Sequence, residues 1–303
     1  VATYSIVARD PKTGEIGVAV QSHWFSVGSV VPWAQAGVGA VATQSLVDPA
    51  YGPLGLELMR LGKSAPQALK SVIAGDPGQA VRQVAMIDAQ GRVATHTGEK
   101  CIAQAGHVTD TEAQFSVQAN LMSNDNIWPA MAKAYRASTG DLADRMLAAL
   151  QAAQDAGGDI RGRQSAALLV VSGTSTGKPW LDRTFDLRIE DHPTPIKELK
   201  RLVILQRAYQ HMNAGDLAIE HEEFAAANQE YAAAQKLAPH IVEIPFWSAV
   251  TLASSGQLEA ALPVFKNVFA REPIWAQLVP KLVPSGLLPD NPAMIKKILD
   301  QVK

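Results

Sequence analysis

Residues 3–10 alternate in hydropathy, turn through Pro11-Lys12-Thr13-Gly14, and are followed by a second such run over 16–23. This is the signature of an antiparallel hairpin. Residues 38–44 are small and β-branched without a helical stripe and read as a buried strand. Helices are expected over 52–61, closed by Gly62, and over 65–74, capped by Ser64. A hairpin is expected over 83–88 and 92–97, across Ala89-Gln90-Gly91. A further strand pair should lie between Cys101 and Ala119. Helices over 127–137 and 142–156 end at Gly157-Gly158. An apolar strand over 165–171 and an alternating outer strand over 181–189 complete the mixed part of the chain.

The order is strands, two helices, strands, two helices, strands. It suits two stacked sheets with a helical layer on each outer face. At Asp191-His192-Pro193-Thr194-Pro195 two prolines stiffen the chain, and everything from Ile196 onward reads helical. The expected fold class is therefore α+β: a four-layer αββα sandwich over residues 1–192, then an all-α domain over 193–303. The helical part repeats. Phe224, Ala227, Tyr231 and Pro239 recur 34 positions later as Leu258, Ala261, Phe265 and Pro273, the period of tetratricopeptide (TPR) helix pairs.

Composition narrows the class. A chain of 303 residues with 47% apolar and 18% charged residues can build a sizeable core. The net charge of −2 gives no basic face for a nucleic acid. No apolar run reaches the roughly 18 residues of a membrane span. The single Cys101 excludes an internal disulfide and a cysteine-rich zinc site. The seven histidines include no HxxxH or HxH, so neither a metal nor another cofactor is expected. Gly37-Val38-Gly39 lacks the rest of a dinucleotide loop, and no Gly-x-Ser-x-Gly elbow occurs.

Candidate chemistry starts at Thr3. A hydroxyl on the first residue of a buried hairpin is how an N-terminal-nucleophile hydrolase begins. The side-chain oxygen attacks, and the residue's own α-amine serves as base, with a pKa of roughly 7.7–8.0. Val1 and Ala2 precede Thr3, so a free amine requires their removal. With an alanine before Val1, the run Ala-Val-Ala would make a signal-peptidase site. His23, at the end of the second strand, is a candidate to orient or protonate a reacting group. Gln44, Ser45 and Asn120 stand at strand ends as oxyanion donors. Arg163 is a candidate to hold a substrate carboxylate bidentately, with a salt bridge to Asp159 or Asp155 as its structural alternative. Gln164 and Ser165 crowd the start of the next strand, and Ser22 lies beside the nucleophile. Asp191 and His192 point to opposite sides of an extended chain and read as linker residues.

The run Tyr4-Ser5-Ile6-Val7-Ala8-Arg9-Asp10-Pro11 with Thr13-Gly14-Glu15-Ile16-Gly17-Val18-Ala19-Val20-Gln21-Ser22 resembles the start of the DUF1028 family. So do the segments 30–44, Gln118-Ala119-Asn120 and 162–170. The resemblance covers roughly residues 3–192 and implies the N-terminal-nucleophile hydrolase fold. The remainder resembles a C-terminal extension labelled peptidoglycan-binding in some relatives. In many relatives the matching threonine follows the initiator Met directly, whereas Val-Ala precedes it here.

The leading expectation is an amidohydrolase cleaving a small amide or peptide-like substrate through an acyl-enzyme on Thr3. The alternative is a non-catalytic binding or scaffold protein that recruits a protein partner or the cell wall through its helical repeats. Leader removal would imply a secreted or periplasmic protein; otherwise it is cytoplasmic. A homodimer is expected, because Phe246, Trp247, Phe269, Trp275 and Leu278 crowd an array with few inward positions.

Overall fold

The computed structural model describes residues 3–302. The chain divides into two compact units, the first ending at Val203 and the second beginning at Ile204. In chain order the first unit contains β1 (Thr3–Arg9), β2 (Ile16–Ser22), β3 (Pro32–Gln35), β4 (Gly39–Ser45), α1 (Tyr51–Arg60), α2 (Ala65–Ala74), β5 (Arg82–Asp88) and β6 (Val93–Thr97). It continues with β7 (Gly106–Asp110), β8 (Phe115–Asn120), α3 (Ile127–Ala137), α4 (Leu142–Asp155), β9 (Ser165–Val171) and β10 (Arg183–Ile189). Two antiparallel sheets result. One has the order β10-β9-β2-β1-β8-β7, the other β3-β4-β5-β6.

Period-two alternation gives each sheet two faces. Tyr4, Ile6, Ala19, Phe115 and Leu168 of the six-stranded sheet pack with Met131 and Tyr135 of α3 and Met146 and Leu150 of α4. Val41, Val84 and Met86 of the four-stranded sheet pack with Tyr51 and Met59 of α1 and Ala68 and Leu69 of α2. The remaining faces share a third core, in which Val7, Val18 and Val20 meet Ala40, Ala42, Ala85 and Ile87. Local signals set the helix starts. Ser64 and Gln67 form a reciprocal capping box on α2, and the Asp141 carboxylate accepts from the Asp144 N–H at the start of α4. The short strand β3 escaped the sequence pattern because its four residues, opening on a proline, are too few to show an alternation.

The α1–α2 layer carries a cavity of about 550 Å³, walled by Tyr51, Leu54, Leu58, Val72 and Asp76. Asp76 anchors one end. Its Oδ2 accepts from Arg82 Nε at 2.8 Å and from the Tyr51 hydroxyl at 2.9 Å, and its Oδ1 accepts from the Gly78 N–H at 2.7 Å. The Arg82 contact, reinforced by the Gly78 and Tyr51 bonds and opposed by burial, lowers the carboxyl from its ordinary 3.8 to about 2. A carboxyl lowered on folding stabilises fully above its unfolded value and loses that stabilisation as pH falls through the folded one. The contribution is therefore complete above about pH 4 and disappears towards pH 2. Asp76→Asn is expected to lower Tm by roughly 3–6 °C at neutral pH, from a loss of about 1–2 kcal/mol. The gap should close as pH approaches 2 in a calorimetric pH series.

Helix α5 (Pro195–Glu220) starts on the second of the two prolines. Its first turns contribute Ile196, Leu199 and Val203 to the α3–α4 core. The division into units therefore falls inside α5 rather than at the proline break at 193. The second unit continues with α6 (Phe224–Leu237), α7 (Glu243–Ser254), α8 (Leu258–Arg271), a 3₁₀ stretch (Pro273–Leu282) and α9 (Pro292–Leu299). Helices α6 and α8 have 14 residues each. They start and end 34 positions apart (258−224, 271−237). Their buried residues correspond as Ala227 with Ala261, Tyr231 with Phe265 and Ala234 with Val268.

The crowded aromatic residues find room inside this unit. Phe246 and Phe269 are buried in one cluster, and Trp247, Trp275 and Leu278 pack against it. Phe246 meets Trp247, Phe265 and Trp275 with ring centroids 5.0–6.0 Å apart. The 3₁₀ stretch and α9 supply the extra walls, through Val279, Leu282 and Ile298. Trp247, Trp275 and Leu278 remain partly exposed, and Trp275 and Leu278 line a surface pocket with Ile274. No described helix is long and apolar enough to cross a membrane.

Candidate functional site

The strand register places Thr3 directly between Ser22 of β2 and Asn120 of β8, and Ser22 in turn beside Ser165 of β9. One row of the six-stranded sheet thus reads Ser165, Ser22, Thr3, Asn120. Two residues further in, the next row contains Ser5 beside Gln118. All these side chains are buried, with Thr3, Ser5, Ser22, Gln118 and Ser165 at 0% exposure. They share the face that carries Val7, Val18 and Val20, the face turned to the other sheet.

The opposite sheet answers with Gln44 of β4 and Gln83 of β5, which are register partners. Gln44 Nε2 donates to the Thr3 carbonyl at 3.3 Å, the Gln118 carbonyl at 3.4 Å and Gln83 Oε1 at 2.8 Å. Gln44 Oε1 accepts from the Ser5 hydroxyl at 2.6 Å, and Ser5 accepts from Gln118 Nε2 at 2.6 Å. Asn120 Nδ2 donates to Gln83 Oε1 at 3.0 Å, so two amide donors converge on one oxygen. Gln83 Nε2 donates to Thr97 Oγ1 and to the carbonyls of Gly106 and Ala119. Thr97 Oγ1 bonds His107 Nδ1 at 2.8 Å, and burial, with His96 nearby, lowers the His107 pKa. The Thr3 hydroxyl donates to Ser22 Oγ at 3.2 Å. A buried polar cluster of this kind is tolerable only because its members satisfy one another.

The sequence-derived candidates separate into groups. Thr3, Ser22, Gln44 and Asn120 come together. Ser45 follows Gln44 with a left-handed φ of 72° and is buried at the end of β4 opposite Arg82. Strand alternation sets it apart from Gln44. Ser165 Oγ donates to the Trp24 carbonyl and accepts from the Val27 N–H at 3.1 Å, which clamps the loop after β2. Gln164 donates its backbone N–H to the Ser22 carbonyl at 3.2 Å, at the end of β2. His23 lies one residue past β2, with its N–H on Asp159 Oδ2 at 3.0 Å and its ring beside Gly162. Asp159 pairs with Arg161 at 2.9 Å, not with Arg163. Arg163 lines a different cavity, with Gln154 of α4. Gln154 bonds the Tyr4 hydroxyl, and Tyr4 belongs to the α3–α4 core. Arg163 therefore opens on the sheet face opposite the one that carries Thr3.

Ser5, Gln83 and Gln118 were not singled out from the sequence, although each is a polar residue at an inward position of a buried strand. Among the described residues, no group of three or more His, Cys, Asp or Glu is placed to hold a metal ion. A threonine hydroxyl attacks a carbonyl only when a base takes its proton. The residues Val1 and Ala2, on which a free Thr3 amine depends, lie outside the described residues.

The fold and site define a mixed α+β protein with two antiparallel sheets, a buried polar cluster between them and a helical C-terminal region. The profile of DUF1028, a family of unknown function, matches residues 3–199, and the chain belongs to that family. A crystal structure of a DUF1028 protein from Silicibacter pomeroyi is similar at 34% identity and a TM-score of 0.60. The match covers 67% of this chain and 85% of that one. Anbu, the ancestral beta-subunit from Yersinia bercovieri, is a much slighter likeness. It shows 14% identity and a TM-score of 0.31, over 66% of this chain and 94% of that one. No curated protein matches the chain.

Proposed function

We propose that the first unit is a four-layer αββα sandwich of the N-terminal-nucleophile type and acts as an amidohydrolase on a small amide or peptide-like substrate. The observation that carries this reading is the place of Thr3. It heads a central strand between Ser22 and Asn120, with the Gln44 amide of the opposite sheet on its carbonyl. Once the Ala2–Thr3 peptide bond is cut, the new α-amine takes the Thr3 hydroxyl proton as Oγ1 attacks the substrate carbonyl. The Asn120 and Gln44 amides, which already converge on one oxygen, stabilise the charge developing on the carbonyl oxygen. The C–N bond then breaks, and the amine leaves with the proton relayed by the α-amine. Water attacks the resulting ester, releases the acid and restores the hydroxyl.

A second reading keeps the fold without catalysis and uses the helical repeats, TPR-like in period, to recruit a partner. It is favoured by the complete burial of Thr3 and the 34-residue correspondence of α6 and α8. Mass determination of the N-terminus of protein from its native host separates the two. The enzyme reading expects a chain beginning at Thr3, and retention of Val1-Ala2 supports the binder.

A further inference from the structure

A cavity of about 290 Å³ lies where α4 meets the first turn of α5, inside the first unit. Gln151, Gln154, Arg163, Thr194, Lys197 and Lys200 line it. Its lining holds three cations and no carboxylate, in a chain whose 29 acidic residues outnumber its 27 basic ones. Acids stand near two of these cations, Asp155 by Lys200 and Glu198 by Lys197, but none lies in the lining. Lys200, half-buried, donates to the neutral Gln151 Oε1 at 2.8 Å. Burial lowers its pKa and the nearby Asp155 opposes that shift. Asp155 itself accepts from Gln151 Nε2 at 2.8 Å. The Arg163 guanidinium forms no hydrogen bond or ion pair with a described residue, because Asp159 is held by Arg161.

Two further features adjoin the cavity. Helix α5 has 26 residues and begins at the cavity. Pro195 has no N–H and the Glu198 N–H is taken by the Thr194 carbonyl at 3.1 Å, so only the Ile196 and Lys197 N–H groups of the first turn, which also carries the Glu198 carboxylate, are left to favour a negative charge. Behind the cavity, the Tyr4 hydroxyl donates to Gln154 Oε1 at 3.0 Å. Gln21, the cross-strand neighbour of Tyr4, is fully buried, and neither its Nε2 nor its Oε1 has a partner among the described residues. Such an orphaned buried amide is costly, and it lies on the Tyr4 face of the sheet, behind the cavity rather than in its lining.

We propose that this cavity binds a doubly charged oxyanion, the phosphate group of a small molecule or free phosphate. Arg163 supplies a fork that matches two phosphate oxygens, while Lys197 and Lys200 supply point charges. The site is separate from the polar cluster around Thr3. Tyr4 and Thr3 are consecutive residues of β1 and face opposite sides of the sheet, so occupancy does not depend on Thr3 being a nucleophile.

Isothermal titration calorimetry of the full chain with inorganic phosphate, glycerol phosphate and acetate tests the proposal. Saturable binding of either phosphate compound, with acetate weaker, is expected. Arg163→Gln and Lys200→Gln should each weaken it by roughly tenfold, with unchanged Tm, while Lys63→Gln on the exposed α1–α2 loop leaves it unaltered. Binding of the ester alone would identify a phosphorylated small molecule, and binding of both would place recognition in the phosphate group itself. Absence of saturable binding, acetate binding as tight as phosphate, or equal loss in the Lys63 variant would overturn the site.

Discussion

In a chain that begins at Thr3, Thr3→Ala is expected to lower kcat for hydrolysis of a small amide by at least about 10³-fold, as loss of a nucleophile does in acyl-transfer enzymes. Thr3→Ser should retain activity, because it keeps both the hydroxyl and the α-amine. The fold should barely register either change. The Thr3 hydroxyl donates to Ser22 Oγ at 3.2 Å. Losing such a bond costs about 1 kcal/mol, and the backbone pairing of β1 with β2 and β8 is untouched by the substitution. A large loss of turnover with a small change in Tm is the combination that a purely structural threonine would not give. Steady-state kinetics beside thermal unfolding reads both quantities.

Gln83→Leu is expected to be the most destabilising single change at the polar cluster, at about 3–5 kcal/mol. Gln83 Oε1 accepts from Gln44 and Asn120, and Nε2 donates to Thr97, Gly106 and Ala119. Leucine matches the volume but leaves several of these groups buried with fewer partners, and each orphaned group carries its own desolvation cost. Thr97→Val, which removes one of Gln83's bonds, should cost about 1 kcal/mol. Urea unfolding checks the pair: a midpoint shift several times larger for Gln83→Leu, with an unchanged slope, supports a network held together at Gln83. Equal shifts would mean that Gln83's other bonds contribute little to stability.

The elements were legible wherever their pattern was long and local. The hairpin of β1 and β2, the capped helix α2 and the strand β9 all follow from alternation, capping residues and apolar runs, signals written within a few residues of one another. The helical repeat was legible for the same reason, since α6 and α8 reproduce its 34-residue period. The division between the two units was less so. Two prolines mark where a helix must start, but whether its first turns join the preceding core depends on what α4 presents to Ile196 and Leu199.

The site was half legible. Thr3, Gln44 and Asn120 advertise themselves as polar residues at strand ends. Ser5, Gln83 and Gln118 lie two residues further in or on the facing strand, and only the pairing of β1 with β8 and of β4 with β5 joins them into one network. Arg163 carried the right chemistry for an anion, but its position one residue from Gln164 said nothing about the side of the sheet on which it opens. That side is fixed by the packing of α4 and the start of α5 around it, a long-range fact.

The central claim is that Thr3 is a nucleophile activated by its own amine. The most direct measurement is acylation of a chain prepared with Thr3 as its first residue, using a β-lactone electrophile, followed by intact-mass analysis and peptide mapping. The account predicts a single acyl adduct on Thr3 that is absent from the Thr3→Ala variant and from the chain that keeps Val1 and Ala2. An unmodified Thr3, or adducts spread over lysines and equal in all three chains, would contradict it.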